Sequence, residues 1–236
     1  MAESAGRIAL VAGGSGLVGG QLLPLLLRSP QYARVHALSR RPLPFDHPRM
    51  ANRVVRFEAS LQAQLKGLRC QDAFCCLGTT IREAGGQAAF RAVDYDLVLE
   101  FAQLALTCGA ERMVVVSALG ANAASKNFYL RVKGEMEKAL ERLRFRALDI
   151  LEPSLLLGAR RELRVLELSA QLAMQLVNPL LLGSWSRFRA IPAATVAGAM
   201  CGVAHSGRRG TYRYTYESIR GFAGSNSGRR TDASVT

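Results

Sequence analysis

Short apolar runs with no polar alternation recur along the chain, separated by stretches of helical period. Residues 8–12, β-branched and leucine-rich, read as a first strand buried on both faces. Residues 35–39, 53–57, 73–77, 113–116 and 147–151 read as strands two to six. Leu17, Val18, Leu22 and Leu23 open a first helix. Residues 90–108 set Phe90, Val93, Leu97, Phe101, Leu104 and Ala105 along one helical face, which Gly109 closes. A further helix spans about 128–143, and Pro153 ends the sixth strand. Strand and helix in turn predict an α/β fold with a parallel, doubly wound sheet. Such sheets bind their ligands beyond the carboxyl ends of the strands. Gly13–Gly16, Arg40, Gly78, Ser117 and Pro153 are therefore expected to face one crevice.

After Pro153 the pattern changes. A leucine-rich stretch at 163–182 is broken by Glu167, Gln171, Gln175, Asn178 and Pro179, which is too polar for a membrane span and reads as an amphipathic helix over 163–177. Trp185 and the basic residues Arg187 and Arg189 follow, then a helix at 195–204 and a short strand at 212–216. The expected organisation is one domain over 1–223, with the substrate side at 153–206 and a disordered tail at 224–236, where period and apolar content vanish.

The first turn carries chemistry. Gly13, Gly16 and Gly19 fall in a G-x-x-G-x-x-G pattern between strand and helix. Backbone N–H groups and the positive end of the helix dipole meet there, where a pyrophosphate can sit. Glycine serves the tight turn, the close approach of a dinucleotide, or close helix–strand packing. After the second strand stand Ser39, Arg40 and Arg41, with no carboxylate before Asp46. An acidic residue there would suit the ribose hydroxyls of NAD, whereas two guanidinium groups suit a 2′-phosphate, so NADP(H) is favoured.

A second constellation is Ser117, closing the fifth strand, and Tyr129-Leu-Arg-Val-Lys133 on the following helix. Tyr and Lys at i and i+4 share a face, and an ammonium near a phenol lowers its pKa from about 10. That phenol can exchange a proton with a carbonyl or alcohol, and Ser117 can hydrogen-bond the same oxygen.

In these residues the chain resembles the short-chain dehydrogenase/reductase superfamily in its atypical branch. Cys76-Leu-Gly-Thr-Thr80, Phe90-Arg-Ala-Val-Asp-Tyr-Asp96, Ser117-Ala-Leu-Gly-Ala121 and Pro153-Ser-Leu-Leu-Leu-Gly158 are similar to the Tat-interacting-protein oxidoreductase group. The likeness runs from about Arg7 to Ile219 and implies a Rossmann fold with an NADP(H) site. It implies Tyr129 as acid/base, Lys133 on the nicotinamide ribose and Ser117 on the substrate carbonyl. Gly13, Ser15, Gly16, Leu17 and Val18 of the loop, with Leu77, Gly78 and Thr79, would line the cofactor, and Pro153 would meet the carboxamide. The implied activity is hydride transfer between NADPH and a small carbonyl or alcohol. The alternative is an NADP(H)-sensing regulator with little turnover that docks an acidic protein partner.

Of 236 residues, 49% are hydrophobic and 21% charged, as in a globular protein, and formal net charge is +13. Arginine supplies 27 of the 31 basic residues, spread from Arg7 to Arg230. No helix-turn-helix, zinc finger or aromatic RNA-binding motif accompanies that charge, so no nucleic-acid partner is expected. Gln21 stands where a phosphate-loop lysine would be, and kinase signatures are absent. His36, His47 and His205 are far apart in sequence, so no metal is expected. Five cysteines lack C-x-x-C pairing and read as small buried thiols of a reducing compartment. With no secretory signal or membrane span, the chain is expected in the cytoplasm.

Overall fold

The computed structural model describes residues 6–57, 60–157 and 189–225. The expected helix at 163–177, with Trp185 and Arg187, lies outside the described residues, as does 226–236. The strands are β1 (Arg7–Ala12), β2 (Tyr32–Ser39), β3 (Met50–Val54), β4 (Asp72–Cys75), β5 (Arg112–Val116), β6 (Ala147–Leu151) and β9 (Gly210–Tyr214). They form one sheet in the order β3-β2-β1-β4-β5-β6-β9, and every neighbouring pair is parallel. A small parallel pair, β7 (Leu156–Leu157) and β8 (Ile191–Pro192), stands apart after β6.

The apolar runs are explained by burial on both faces. Along β1, Ala9 and Val11 join one core, and Leu10 and Ala12 the other. Phe74 and Val114 face the first core, while Ala73, Cys75, Met113 and Val115 face the second. The first core lies under α1 (Gly19–Arg28) and α7 (Ala193–Ala204). The second lies under α5 (Leu97–Thr107) and α6 (Phe128–Arg142). The result is the doubly wound, Rossmann-like architecture expected from the sequence.

Two buried carboxylates tie strands of the sheet together. Asp72 accepts from Arg7 Nε at 2.6 Å, Arg7 Nη2 at 2.7 Å and the Tyr32 hydroxyl at 2.9 Å. Asp149 pairs with Arg112 and accepts from the Tyr214 hydroxyl at 2.8 Å. Each buried charge is thus matched by a guanidinium and a phenol.

Several boundaries differ from expectation. β3 begins at Met50 rather than 53, because its ladder on β2 starts there, with Val35 opposite Met50. β9 ends at Tyr214, and α8 (Tyr216–Ser225) follows, so helix continues past the expected start of the tail at 224. The expected helix at 90–108 is three consecutive helical segments: α4 (Gln87–Arg91), a π-helical turn (Ala92–Asp96) and α5. That widened turn carries Asp94 into the interior, a position with consequences for the site. The remaining short helices are α2 (Leu61–Gln64) and α3 (Ile81–Ala84). No described helix is long and apolar enough to cross a membrane.

Candidate functional site

A cleft of about 780 Å³ opens at the carboxyl ends of β1, β2 and β4. Gly13, Ser15 and Gly16 form one wall, Ser39 and Arg40 the second, and Cys76, Leu77, Gly78 and Thr79 the third. Gly13 holds φ +81°, and a Cβ there would lie 2.5 Å from the Cys76 carbonyl oxygen. Only glycine lets the β1 and β4 loops come so close. Gly16 N–H donates to the Gly13 carbonyl at 3.0 Å, closing the turn ahead of α1.

The turn after β2 is shaped by Asn52 on β3. Its Nδ2 donates to the Ser39 hydroxyl at 2.7 Å, its Oδ1 accepts from Leu43 N–H at 2.8 Å, and Ser39 Oγ donates to the Arg41 carbonyl at 2.7 Å. The turn so fixed sets Arg40 on the cleft wall, while Arg41 is exposed and outside the lining. Leu17 and Val18 are outside it as well, and Val18 is buried in the core where it precedes α1.

Beneath the third wall lies a buried ion pair. Lys133 Nζ is 2.6 Å from Asp94 Oδ1, with side chains only 5% and 1% exposed. The second Asp94 oxygen accepts from Thr79 N–H at 2.9 Å. A Cβ on Gly78 would lie 3.4 Å from Asp94 Oδ1 and 3.8 Å from Lys133 Nζ. Gly78 therefore joins the cleft to the lysine. Burial disfavours the ammonium, but Asp94, with help from Tyr129, holds the Lys133 pKa above its ordinary value.

Tyr129 lies one turn before Lys133 on α6, its ring 5.4 Å from that of Phe90. The expected lowering of its pKa is corrected here. Burial pushes the phenol up, Lys133 pulls it down, Asp94 pushes it up again, and the net direction is upward. The ammonium's field is largely spent on the carboxylate beside it. Asn127 caps α6, its side chain accepting from Leu130 N–H at 3.2 Å. At Gly134 the loop residues Asn122 and Ala123 cross so closely that a side chain would overlap their backbone.

Ser117 directly follows β5 and is buried. Its hydroxyl donates to Glu137 Oε1, one turn beyond Lys133 and two turns, about 12 Å along the helix axis, from Tyr129. No hydrogen bond joins the Ser117 hydroxyl to the Tyr129 phenol. Arg213 Nε reaches Glu137 at 3.3 Å and Glu152 at 3.4 Å, and its Nη2 reaches Glu141 at 2.7 Å. Burial and the neighbouring Glu137 carry Glu152 up to about 7, against the pull of Arg213. Pro153 is buried, and its carbonyl accepts from Leu119 N–H at 2.9 Å, tying the end of β6 to the loop after β5.

Asp94, Gly134 and Asn52 were not singled out by the sequence reading. Asp94 had a signal, because it falls with Phe90 and Val98 at i, i+4 and i+8, a charge on an apolar stripe. Gly134, inside an otherwise glycine-free helix, had one too.

A parallel doubly wound sheet whose first turn is glycine-rich defines a Rossmann-type fold. No family model matches the chain. The protein HTATIP2 of Rattus norvegicus is 37% identical over 194 residues, covering 80% of this chain and 78% of that protein. The protein FMP52, mitochondrial, of Debaryomyces hansenii is 37% identical over 159 residues, covering 65% and 69%. Among solved structures, a short-chain dehydrogenase/reductase superfamily protein from Agrobacterium tumefaciens with bound NAD superposes with TM-score 0.64 at 12% identity, covering 89% of this chain and 77% of that one. The chain belongs to the HTATIP2- and FMP52-like family. The expected cytoplasmic location is corrected, since the fungal relatives are named as mitochondrial proteins. The lack of an apolar secretory segment, on which that expectation rested, bears only on secretion.

Proposed function

We propose that this chain binds NADP(H) in the cleft and acts as an oxidoreductase on a small carbonyl or alcohol. The observation that carries the reading is Gly78, which lines the cleft at a point where a side chain would meet the buried Lys133–Asp94 pair. The residues fit such a group: a glycine cradle before a helix N-terminus for the pyrophosphate, and a guanidinium without an opposing carboxylate at the end of β2 for a 2′-phosphate. Gly13, Ser15 and Gly16 would hold the pyrophosphate, Arg40 the 2′-phosphate, and Leu77, Gly78 and Thr79 the central part. When bound, NADP(H) supplies or accepts the hydride.

The chain's own residues manage the proton. Tyr129 holds a proton at its phenolic oxygen, since burial keeps it neutral, and gives it to a carbonyl oxygen as charge develops there. Lys133 keeps its ammonium beneath Gly78, where it stabilises negative charge on the phenol once the proton has left. Asp94 fixes that ammonium and, through Thr79 N–H, the backbone of the cleft wall. Ser117 acts in this scheme through Glu137, ordering α6 against β5.

A second reading, an NADP(H)-sensing regulator that docks an acidic protein partner, is favoured by the raised Tyr129 phenol and the engaged Ser117 hydroxyl. Steady NADPH oxidation with a panel of aldehydes, ketones and quinones, abolished in Tyr129→Phe, supports the enzyme. Tight cofactor binding without turnover on any of them supports the regulator.

A further inference from the structure

A second cavity, of about 360 Å³, opens at the opposite edge of the sheet. Its walls come from the amino ends of strands: Arg7 and Arg112 open β1 and β5, Arg146 precedes β6, and Arg208 and Arg209 precede β9. A strand of five or six residues, about 17–20 Å, separates this edge from the cleft described above. Five arginines thus line a space of the size that takes a small ligand.

Three of them are committed to the fold. Arg7 makes a two-pronged pair with Asp72. Arg112 pairs with Asp149, donates to the Val203 carbonyl at 3.2 Å and to the Arg208 carbonyl at 2.6 Å, and so caps the carboxyl end of α7. Arg146 pairs at 3.0 Å with Glu111, with both side chains about half exposed. Arg208 and Arg209 have no carboxylate within 4.0 Å among the described residues. The Arg208 guanidinium lies 5.5 Å from the Tyr212 ring and 5.2 Å from the Phe222 ring, which hold it in place. Five positive charges against three carboxylates leave an excess of two around a concave site, with Arg208 and Arg209 exposed to an incoming anion.

We propose that this cavity is a binding site for a small molecule bearing a phosphate or diphosphate group, separate from the cofactor cleft. The guanidinium fork matches phosphate oxygens in geometry and charge, and an anion there relieves the repulsion between Arg208, Arg209 and their neighbours. Glu111, the carboxylate on the cavity wall, competes with such a ligand for Arg146. The assignment does not depend on the cofactor reading.

The test is calorimetric titration of the full chain with inorganic pyrophosphate in metal-free buffer. Wild type is expected to bind at this site, and Arg208→Gln with Arg209→Gln to weaken it at least tenfold. Glu111→Gln is expected to tighten it severalfold, and Arg53→Gln, the loss of one positive charge on the distant edge strand β3, to leave it unchanged. Any pyrophosphate bound at the glycine loop persists in the double variant, so failure of one site does not mask the other. If the double variant fails to fold, Arg209→Gln alone, at an exposed position, decides with a smaller loss in the same direction. Binding unchanged by the Arg208 and Arg209 substitutions, or weakened equally by Arg53→Gln, would overturn the proposal. So would capture of a poly-glutamate peptide with no pyrophosphate binding, which would mark a protein-docking surface instead.

Discussion

Replacing Asp94 with Asn tests the pair on which the floor of the cleft rests. Asparagine keeps an acceptor for Thr79 N–H but removes the charge 2.6 Å from the Lys133 ammonium. Breaking a buried pair by deleting one partner costs about 3–5 kcal/mol, because the other charge is left uncompensated. For a chain of this size, each kcal/mol moves Tm by roughly 2–4 °C, so the expected loss is about 6–20 °C. In the wild type, Lys133 titrates above its ordinary 10.5, so the stabilisation it contributes is complete below that value and is lost only as pH rises through the raised one. In Asp94→Asn, burial acts without a counter-charge and lowers the Lys133 pKa, so the variant recovers stability as pH rises and the lysine sheds its proton. Asp94→Leu combined with Lys133→Met, which removes both charges, is expected to recover much of the loss. Thermal unfolding followed by circular dichroism between about pH 7 and 9.5 reads all three. An Asp94→Asn protein that melts within about 2 °C of wild type, with no gain toward alkaline pH, would refute the reasoning.

Other outcomes follow from the same geometry. Arg40→Gln is expected to weaken NADP(H) about ten- to a hundredfold, the equivalent of one or two charge-assisted hydrogen bonds, while NAD(H) binding changes little; fluorescence titration with both cofactors reads the difference. Glu152, raised to about 7 from 4.5, contributes stability that is complete below its unfolded value and is lost as pH climbs through 7. Glu152→Gln should therefore flatten the fall of Tm between about pH 5 and 8, measured by scanning calorimetry. Gly134→Ala is expected to cost about 1–3 kcal/mol in urea unfolding, since its methyl group meets the backbone of Asn122 and Ala123 and the loop must move.

The central strands were legible because burial on both faces leaves an unbroken apolar run, and β6 matches its expected limits residue for residue. Edge strands carry no such mark. Val54 on β3 is exposed, so the apolar residues near it did not show where pairing with β2 begins. Helix α8 was hidden by its glycines and serines, because it depends on contact: Gly198 and Gly202 of α7 let the backbone at Phe222 and Ala223 approach. The glycine turn, Arg40 and Leu77–Thr79 could be read from order along the chain alone, since each follows a strand. The partners Asp94 for Lys133 and Glu137 for Ser117 could not. Both depend on how α6 is rotated against the sheet and the π-helical turn, which no single segment encodes. That rotation also explains why Lys133 was expected to act mainly on Tyr129 when its nearest charge is Asp94.

The most direct measurement of the central claim is calorimetric titration of the purified chain with NADP+ and NADPH, alongside NAD+ and NADH. One site per chain is expected, tighter for the phosphorylated pair, with that preference lost in Arg40→Gln. No heat of binding with any of the four would contradict it.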